Sequence, residues 1–149
     1  MLSNEELTGR VFPPYDYKVA RAQIRDYARA VGETNPLYLD IGAARDGGYR
    51  DLVAPPMFAV VYAGEAFSRA VHDPALGIDF AMLVHGGQEF EWGPLVIAGD
   101  RITTAFSLAD VHQRVGMRFY DFHSLSRNER DEEVSRGVWT MIVRPREDE

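Results

Sequence analysis

Residues 55–71 read PPMFAVVYAGEAFSRAV and contain the longest apolar run of the chain. Proline is favoured at the first position of a helix, so Pro55-Pro56 predicts a helix start. From Met57 to about Val71, apolar side chains occupy nearly the whole circumference, which indicates a helix buried on most sides. Asp73-Pro74 would end the helix. A sheet could approach it closely at its small residues, Ala59, Ala63, Gly64 and Ala66.

Strand patterns dominate the chain after this helix. Phe90 and Trp92 alternate with two glutamates, as in a strand with one apolar face. Longer β-rich runs follow at 102–111, 116–125 and 134–143. The first two are joined near Val115-Gly116, which predicts a hairpin. One buried helix followed by a mostly antiparallel sheet that wraps it is an α+β architecture.

The part before the helix is shorter and more irregular. Alternating apolar residues at 15–19 predict a strand, and the apolar spacing in 20–31 predicts a helix that ends at Gly32. The connection 33–53 is long for a small domain, with a short helix possible at 39–45. Connections of this length are often functional.

Composition excludes several classes of function. The 149 residues suit a single domain over 1–149. The net charge of −7 argues against binding to nucleic acid or to anionic membranes. The absence of cysteine excludes disulfides, thiolate metal sites and cysteine nucleophiles. The four histidines lack the close spacing of metal ligands, and we expect neither a metal nor a redox cofactor.

We expect a cytoplasmic protein. The N-terminal MLSNEELTGR lacks the basic start and apolar run of a signal peptide. The apolar run around residues 57–63 is too short to span a bilayer.

The informative motif region is residues 27–44, YARAVGETNPLYLDIGAA, together with VAPPMF at 53–58 and QEFEWGPLVIAGD at 88–100. It resembles the MaoC-like (R)-specific enoyl hydratase signature, whose usual form is roughly Y-x-x-x-x-G-D-x-N-P-x-H-x-D. The resemblance implies a hot-dog fold, in which an antiparallel sheet wraps a long central helix, here Met57 to Val71. It also implies action on acyl-CoA or acyl-carrier-protein thioesters.

The catalytic positions of this signature are altered. In the family, its Asp and His form the dyad that activates water across a trans-2-enoyl thioester. Glu33 and Tyr38 stand at these two positions, while Asn35 matches the signature. A tyrosine, with a reference pKa of about 10, is a poor base near neutrality, whereas histidine titrates there. The three residues are nevertheless the candidate catalytic positions.

The start of the central helix is altered as well. Active members usually have a His-Gly pair there, and a backbone N–H holds the thioester carbonyl. Pro55 and Pro56 have no N–H to donate, so Met57 becomes the candidate donor at the helix N-terminus. The resemblance assigns substrate binding to Pro56, Met57, Phe58 and Tyr62.

These variants resemble the FAS1-like dehydratase or MaoC-like N-terminal subfamily, typified by V-A-P-P-x-F. In that subfamily a degenerate hot-dog half binds the acyl tail, and an active half supplies the dyad. The resemblance therefore implies a subunit of a (3R)-hydroxyacyl-thioester dehydratase, a hydro-lyase. Its partner would be a catalytic MaoC-like subunit in a heterodimer, or a second copy in a homodimer.

Two other enzymatic interpretations and one structural interpretation stay open. A homodimeric (R)-specific enoyl-CoA hydratase would use Glu33 as its base. A hot-dog thioesterase would use Glu65, on the central helix, although Glu65 is also spaced to pair with Arg69. Taken alone, residues 33–36 also suit a simple turn after a helix.

Overall fold

The computed structural model describes residues 2–147 and combines short helices with one five-stranded sheet. The strands are β1 (Tyr15–Lys18), β2 (Leu83–Trp92), β3 (Arg101–Arg114), β4 (Met117–Arg127) and β5 (Glu133–Val143). The helices are α1 (Asn4–Leu7), α2 (Arg21–Ala30), α3 (Pro36–Leu39), α4 (Ile41–Asp46), α5 (Ala59–Tyr62) and α6 (Gly64–Val71). Within these residues no helix is long and apolar enough to cross a membrane.

The sheet is antiparallel throughout, in the order β1-β3-β4-β5-β2. The predicted hairpin joins β3 to β4, and Val115 and Gly116 both have positive φ in its turn. β2 is followed by Gly93. A Cβ atom at this position would lie 1.9 Å from the carbonyl oxygen of Glu133, so this close approach requires glycine. The α+β prediction is confirmed.

The central helix is present but is not a single regular helix. A 3₁₀ turn at Pro56–Phe58 leads directly into α5, and an irregular residue, Ala63, separates α5 from α6. Four buried alanines mark the closely packed parts of this segment, Ala59, Ala63, Ala66 and Ala70. Gly64, expected to belong to the close contact, has open space where its Cβ would be.

Aromatic packing attaches this segment to the inner face of the sheet. The Phe67 ring on α6 stacks on Trp139 of β5 at 4.8 Å between centroids. It also meets Phe106 of β3 and Phe122 of β4, each at 5.7 Å. One side chain of the helix thus joins three adjacent strands, and this contact defines which face of the sheet is the core.

The N-terminal elements cover one end of the core. α2 begins after Ala20, and Gly32, with φ of 76°, follows its last turn as predicted. The connection from 33 to 53 contains two short helices rather than one, because Asp40 ends α3 and its side chain caps α4. α1 was not expected from the sequence, and it buries Leu7 completely.

A buried carboxylate, Asp100, joins four segments. Its Oδ2 accepts the Ile97 N–H at 2.9 Å, and its backbone carbonyl accepts the Val19 N–H at 2.9 Å. Its Oδ1 is contacted by the Arg50 guanidinium and lies 3.6 Å from Arg130 Nη1. The carboxylate is fully buried, whereas both guanidinium side chains are about half exposed.

We expect Asp100→Ala to lower the free energy of unfolding by about 3 kcal/mol, the lower end for breaking a buried ion pair. The lower end applies because Arg50 and Arg130 can be rehydrated once the carboxylate is removed. Urea denaturation would measure the change. The matched control Asp26→Ala, at an exposed position on α2, should change stability by less than about 0.5 kcal/mol. Equal effects of the two substitutions would contradict the structural role of Asp100.

Candidate functional site

Glu33 lies three residues after the end of α2. Its backbone N–H donates to the Ala28 carbonyl at 2.8 Å, which fixes the residue against the last turn. The residue is exposed. Burial is the main cause that raises the pKa of Tyr27, and the negative charge of Glu33 raises it further. Glu33 therefore lies within electrostatic reach of a phenol on α2.

Tyr38 lies on α3, which is held close to Glu33. Asn35 caps this helix, since its Oδ1 accepts the Leu37 N–H at 3.0 Å. Arg25 Nε donates to the Leu39 carbonyl at 3.0 Å and ties α3 to α2. The Tyr38 ring is half-buried against the core. The structure thus brings together the three residues predicted as catalytic positions.

The electrostatics of this group favour a neutral phenol. Burial raises the pKa of Tyr38 above its ordinary value, and the Glu33 charge raises it further. A hydrogen bond with the Asn35 side chain acts in the opposite direction. At neutral pH Tyr38 can donate a hydrogen bond but does not act as a base. Glu33 is the only carboxylate among the three.

The start of the central segment adds an aromatic cluster. The Phe58 ring is fully buried, and the rings of Tyr17, Tyr27 and Tyr62 pack edge-on against it at 5.7–6.3 Å. Met57 is 45% exposed, and because Pro55 and Pro56 lack an N–H, it has the first backbone donor of this turn. Tyr27 connects the cluster to Glu33.

Tyr62 closes the inner end of this region. Its hydroxyl lies 2.7 Å from Ser135 Oγ on β5. Burial raises its pKa to about 12, although the hydrogen bond with Ser135 acts in the opposite direction. Tyr62 is therefore neutral at physiological pH. It contributes a buried ring to this region, and its hydroxyl has Ser135 as its hydrogen-bond partner.

A small apolar cleft of about 50 Å³ adjoins Tyr62. Its lining includes Pro56 and Tyr62, two residues predicted to bind substrate, and also the exposed side chains of Trp92 and Leu95. Met57, Phe58 and the three residues predicted as catalytic positions do not line it. A cavity of about 300 Å³ lies on the outer face of the sheet, around Glu89 and His123, and contains none of the predicted site residues.

Glu65 forms an ion pair with Arg69 on the surface of α6. It is exposed on α6 and accepts a hydrogen bond from Arg69 Nε at 3.1 Å. The Arg69 guanidinium also lies 4.6 Å from the centre of the Tyr15 ring. These contacts support the ion-pair interpretation of Glu65 over a thioesterase acid.

One group of side chains has the composition of a metal site. Donor atoms of Asp110, His112 and Asp121 lie within 4.8 Å of one another. His112 Nδ1 is 2.8 Å from Asp110 Oδ2, and Asp121 Oδ1 accepts a hydrogen bond from Thr140 at 2.6 Å. These contacts account for the arrangement without an ion.

Comparison with known sequences identifies the family. The FAS1-like, dehydratase domain region matches residues 6–136. The chain belongs to this family, the FAS1-like dehydratase domain region. A UPF0336 protein of Streptomyces avermitilis is 36% identical over 149 residues, with 99% of both chains covered. A UPF0336 protein of Thermobifida fusca is 34% identical over 145 residues, with 97% of this chain and 95% of the relative covered.

Solved structures of hot-dog dehydratases share the fold of this chain. A chain of the (3R)-hydroxyacyl-ACP dehydratase complex HadBC from Mycobacterium tuberculosis is 28% identical, with a TM-score of 0.77 and coverage of 91% of this chain and 96% of that chain. A MaoC-like dehydratase has a TM-score of 0.85 at 24% identity, covering 95% of this chain and 43% of that chain. The hot-dog prediction is confirmed.

Sequence reasoning missed two tyrosines of this site. Tyr27 opens the quoted motif, but the pattern did not reveal that its ring joins Glu33 to Phe58. The hydroxyl of Tyr17 is buried without a hydrogen-bond partner among residues 2–147. Its alternating position in β1 was visible, but the contact with the central segment was not.

We expect Glu33→Gln to lower the pKa of both Tyr27 and Tyr38, because it removes a negative charge that disfavours their phenolates. NMR titration with tyrosine labelled at Cζ would follow each phenol, with Tyr27→Phe and Tyr38→Phe providing the assignments. The control Glu65→Gln removes the same charge from α6 and should leave both pKa values unchanged. Identical titrations in Glu33→Gln and the unmodified chain would show that the three groups are not adjacent.

Proposed function

We propose that the chain is the acyl-thioester-binding subunit of a (3R)-hydroxyacyl-thioester dehydratase, with residues 1–149 forming one hot-dog domain. The reaction adds water to, or removes it from, the α,β bond of an acyl-CoA or acyl-carrier-protein thioester. In this proposal the chain shapes the acyl site, and a MaoC-like partner supplies the Asp/His dyad. The observation that carries it is the neutral Tyr38 phenol where the dyad requires histidine.

The chemistry of the site supports this division of labour. Hydration needs a group that both accepts and donates a proton near neutral pH, and loss of such a group costs typically about 10²–10⁴-fold in rate. Tyr38 remains protonated, and Glu33 alone cannot supply the proton exchange of a carboxylate–imidazole pair. The similarity to a chain of the HadBC complex supports a partner subunit.

Substrate contacts would come from the start of the central segment. The Met57 N–H is placed at a helix N-terminus, where the backbone favours a partial negative charge such as a thioester oxygen. The apolar cleft beside Tyr62 and Trp92 is suited to methylene groups rather than to charged groups. These contacts require no proton transfer and fit a binding subunit.

A self-sufficient hydratase is the second candidate. The observation in its favour is that Glu33 keeps an exposed carboxylate beside two phenols. In a homodimer Glu33 would act as the base, while Asn35 and Tyr38 would orient water or the thioester. This candidate places all catalytic groups on one chain, and assays of the purified chain therefore separate the two candidates.

We expect the purified chain to hydrate trans-2-enoyl-CoA substrates no faster than background at any acyl length, because it lacks the imidazole of the dyad. Loss of absorbance of the enoyl thioester measures the rate. Glu33→Ala should leave this baseline unchanged. A rate well above background that collapses in Glu33→Ala would instead establish the homodimeric hydratase.

We expect Glu33→Asp/Tyr38→His, which restores the residue types of the dyad, to raise the hydration rate at least about tenfold over the unmodified chain. The gain follows from an imidazole that exchanges protons near neutral pH. Tyr49→His is the matched control, because it places the same imidazole in the loop after α4, and it should give no gain. If both variants remain inactive, positions 33 and 38 are not the equivalents of the dyad.

A further inference from the structure

The apolar cleft between the start of the central segment and the end of β2 is held in shape by its own backbone. Three of the residues that line it are prolines, Pro55, Pro56 and Pro94. Proline has a fixed φ, so these parts of the lining are in place before a ligand binds. A preformed site loses little conformational entropy on binding. Within residues 2–147 the lining contains no charged side chain.

A glycine keeps the cleft free of side chains where β2 ends. The Gly93 N–H donates to the Val134 carbonyl at 3.0 Å, which holds the chain close to β5. A side chain at this position would collide with the carbonyl oxygen of Glu133. Position 93 therefore lines the cleft with backbone atoms alone, and the space beside it stays open.

The exposure of the lining gives the cleft a direction. Trp92 and Leu95 are each 47% exposed, whereas Tyr62 is 2% exposed. An apolar chain therefore enters beside Trp92 and Leu95 and ends against the Tyr62 ring. This inner end is fixed, because the Tyr62 hydroxyl lies 2.7 Å from Ser135 Oγ. Ser135 is also the residue of β5 that pairs with Trp92, so both ends of the cleft are attached to the same point of the sheet.

The volume of the cleft limits the number of carbon atoms that it can accept. A space of about 10–15 Å³ holds one water-sized group, and a methylene group is of similar size. The cleft of about 50 Å³ therefore holds roughly three to five carbon atoms. Further along the central segment, the Phe67 ring is stacked on Trp139 at 4.8 Å. These rings already occupy the space between helix and sheet into which a longer chain would have to extend.

We infer that this cleft is a subsite for short acyl chains, which accepts the roughly three to five carbon atoms that follow a thioester carbonyl. The inference rests on the proposed function, because it specifies the acyl group that the subunit binds. Met57 directly follows Pro56, a residue of the lining, so a carbonyl bound at the Met57 N–H has its acyl chain beside the cleft. The preferred substrates are thioesters with acyl chains of about four to six carbon atoms.

Pantetheine thioesters of graded acyl length test this inference, since they carry the arm that CoA and acyl carrier protein share. NMR titration of the isotope-labelled chain measures the dissociation constants of the acetyl, butyryl, hexanoyl and octanoyl thioesters. The shift of the Trp92 indole N–H signal reports binding in the cleft. We expect butyryl to bind at least about fivefold more tightly than acetyl, because each buried methylene contributes about fourfold. Octanoyl should bind within about twofold of hexanoyl, because its additional carbons remain in water.

Two variants change the cleft at different points. Ala54→Leu places a larger side chain at a buried position of the lining and should abolish the preference for butyryl over acetyl. Trp92→Ala opens the entrance to water and should reduce this preference to about half. It changes an exposed side chain, so it tests the cleft even if Ala54→Leu fails to fold. Phe80→Ala is the matched control, because Phe80 is also 47% exposed but lies before β2 and outside the cleft, and it should leave the preference unchanged.

The possible results separate the inference from the proposed function. Affinity that continues to rise from hexanoyl to octanoyl would overturn the short-chain subsite and leave acyl-thioester binding intact. Full preference for butyryl in Trp92→Ala would do the same, because the acyl chain would then lie elsewhere. If no acyl thioester of any length binds, the proposed function itself is wrong, and the inference that rests on it is wrong as well.

Discussion

The packing of residues 56–71 against the inner face of the sheet is the constraint on which the rest of the structure depends. Phe67 contacts three strands at once, and the buried alanines of this segment leave little space between helix and sheet. Because these contacts assign the inner face, they also determine which residues of β2–β5 point to solvent. The outward direction of Glu89 and Glu91 and the inward direction of Trp139 both follow from this packing.

The same segment positions the site. Phe58, at its start, receives the rings of Tyr17 and Tyr27, and Tyr27 in turn lies within the electrostatic reach of Glu33. The motif residues are therefore anchored through aromatic contacts to the most buried part of the chain. The anchored group offers a hydrogen-bonding phenol and an apolar surface, because burial and the charge of Glu33 both raise the pKa of Tyr38.

Sequence patterns predicted the architecture well where the periodicity was long. The strands, the hairpin at Val115-Gly116 and the end of α2 at Gly32 were all confirmed, since each rests on local turn or side-chain geometry. α1 was missed although Ser3 and Glu6 form a capping box, a local signal too short to stand out from an N-terminal tail. The burial of Asp100 with Arg50 could not be predicted, because the two residues lie 50 positions apart in sequence.

By itself, the sequence determined the class of fold and the resemblance to the family, and it placed Glu33, Asn35 and Tyr38 in one motif. These properties are local, because composition, period and motif spacing belong to contiguous stretches of chain. Only the tertiary structure decided that Tyr27 joins Glu33 to the core, that Asp100 is buried beside Arg50, and that β2 lies at an edge of the sheet. These properties depend on the order of the strands and on which face each side chain takes. Order and face are set by the burial of the central segment, a long-range contact that no local pattern encodes.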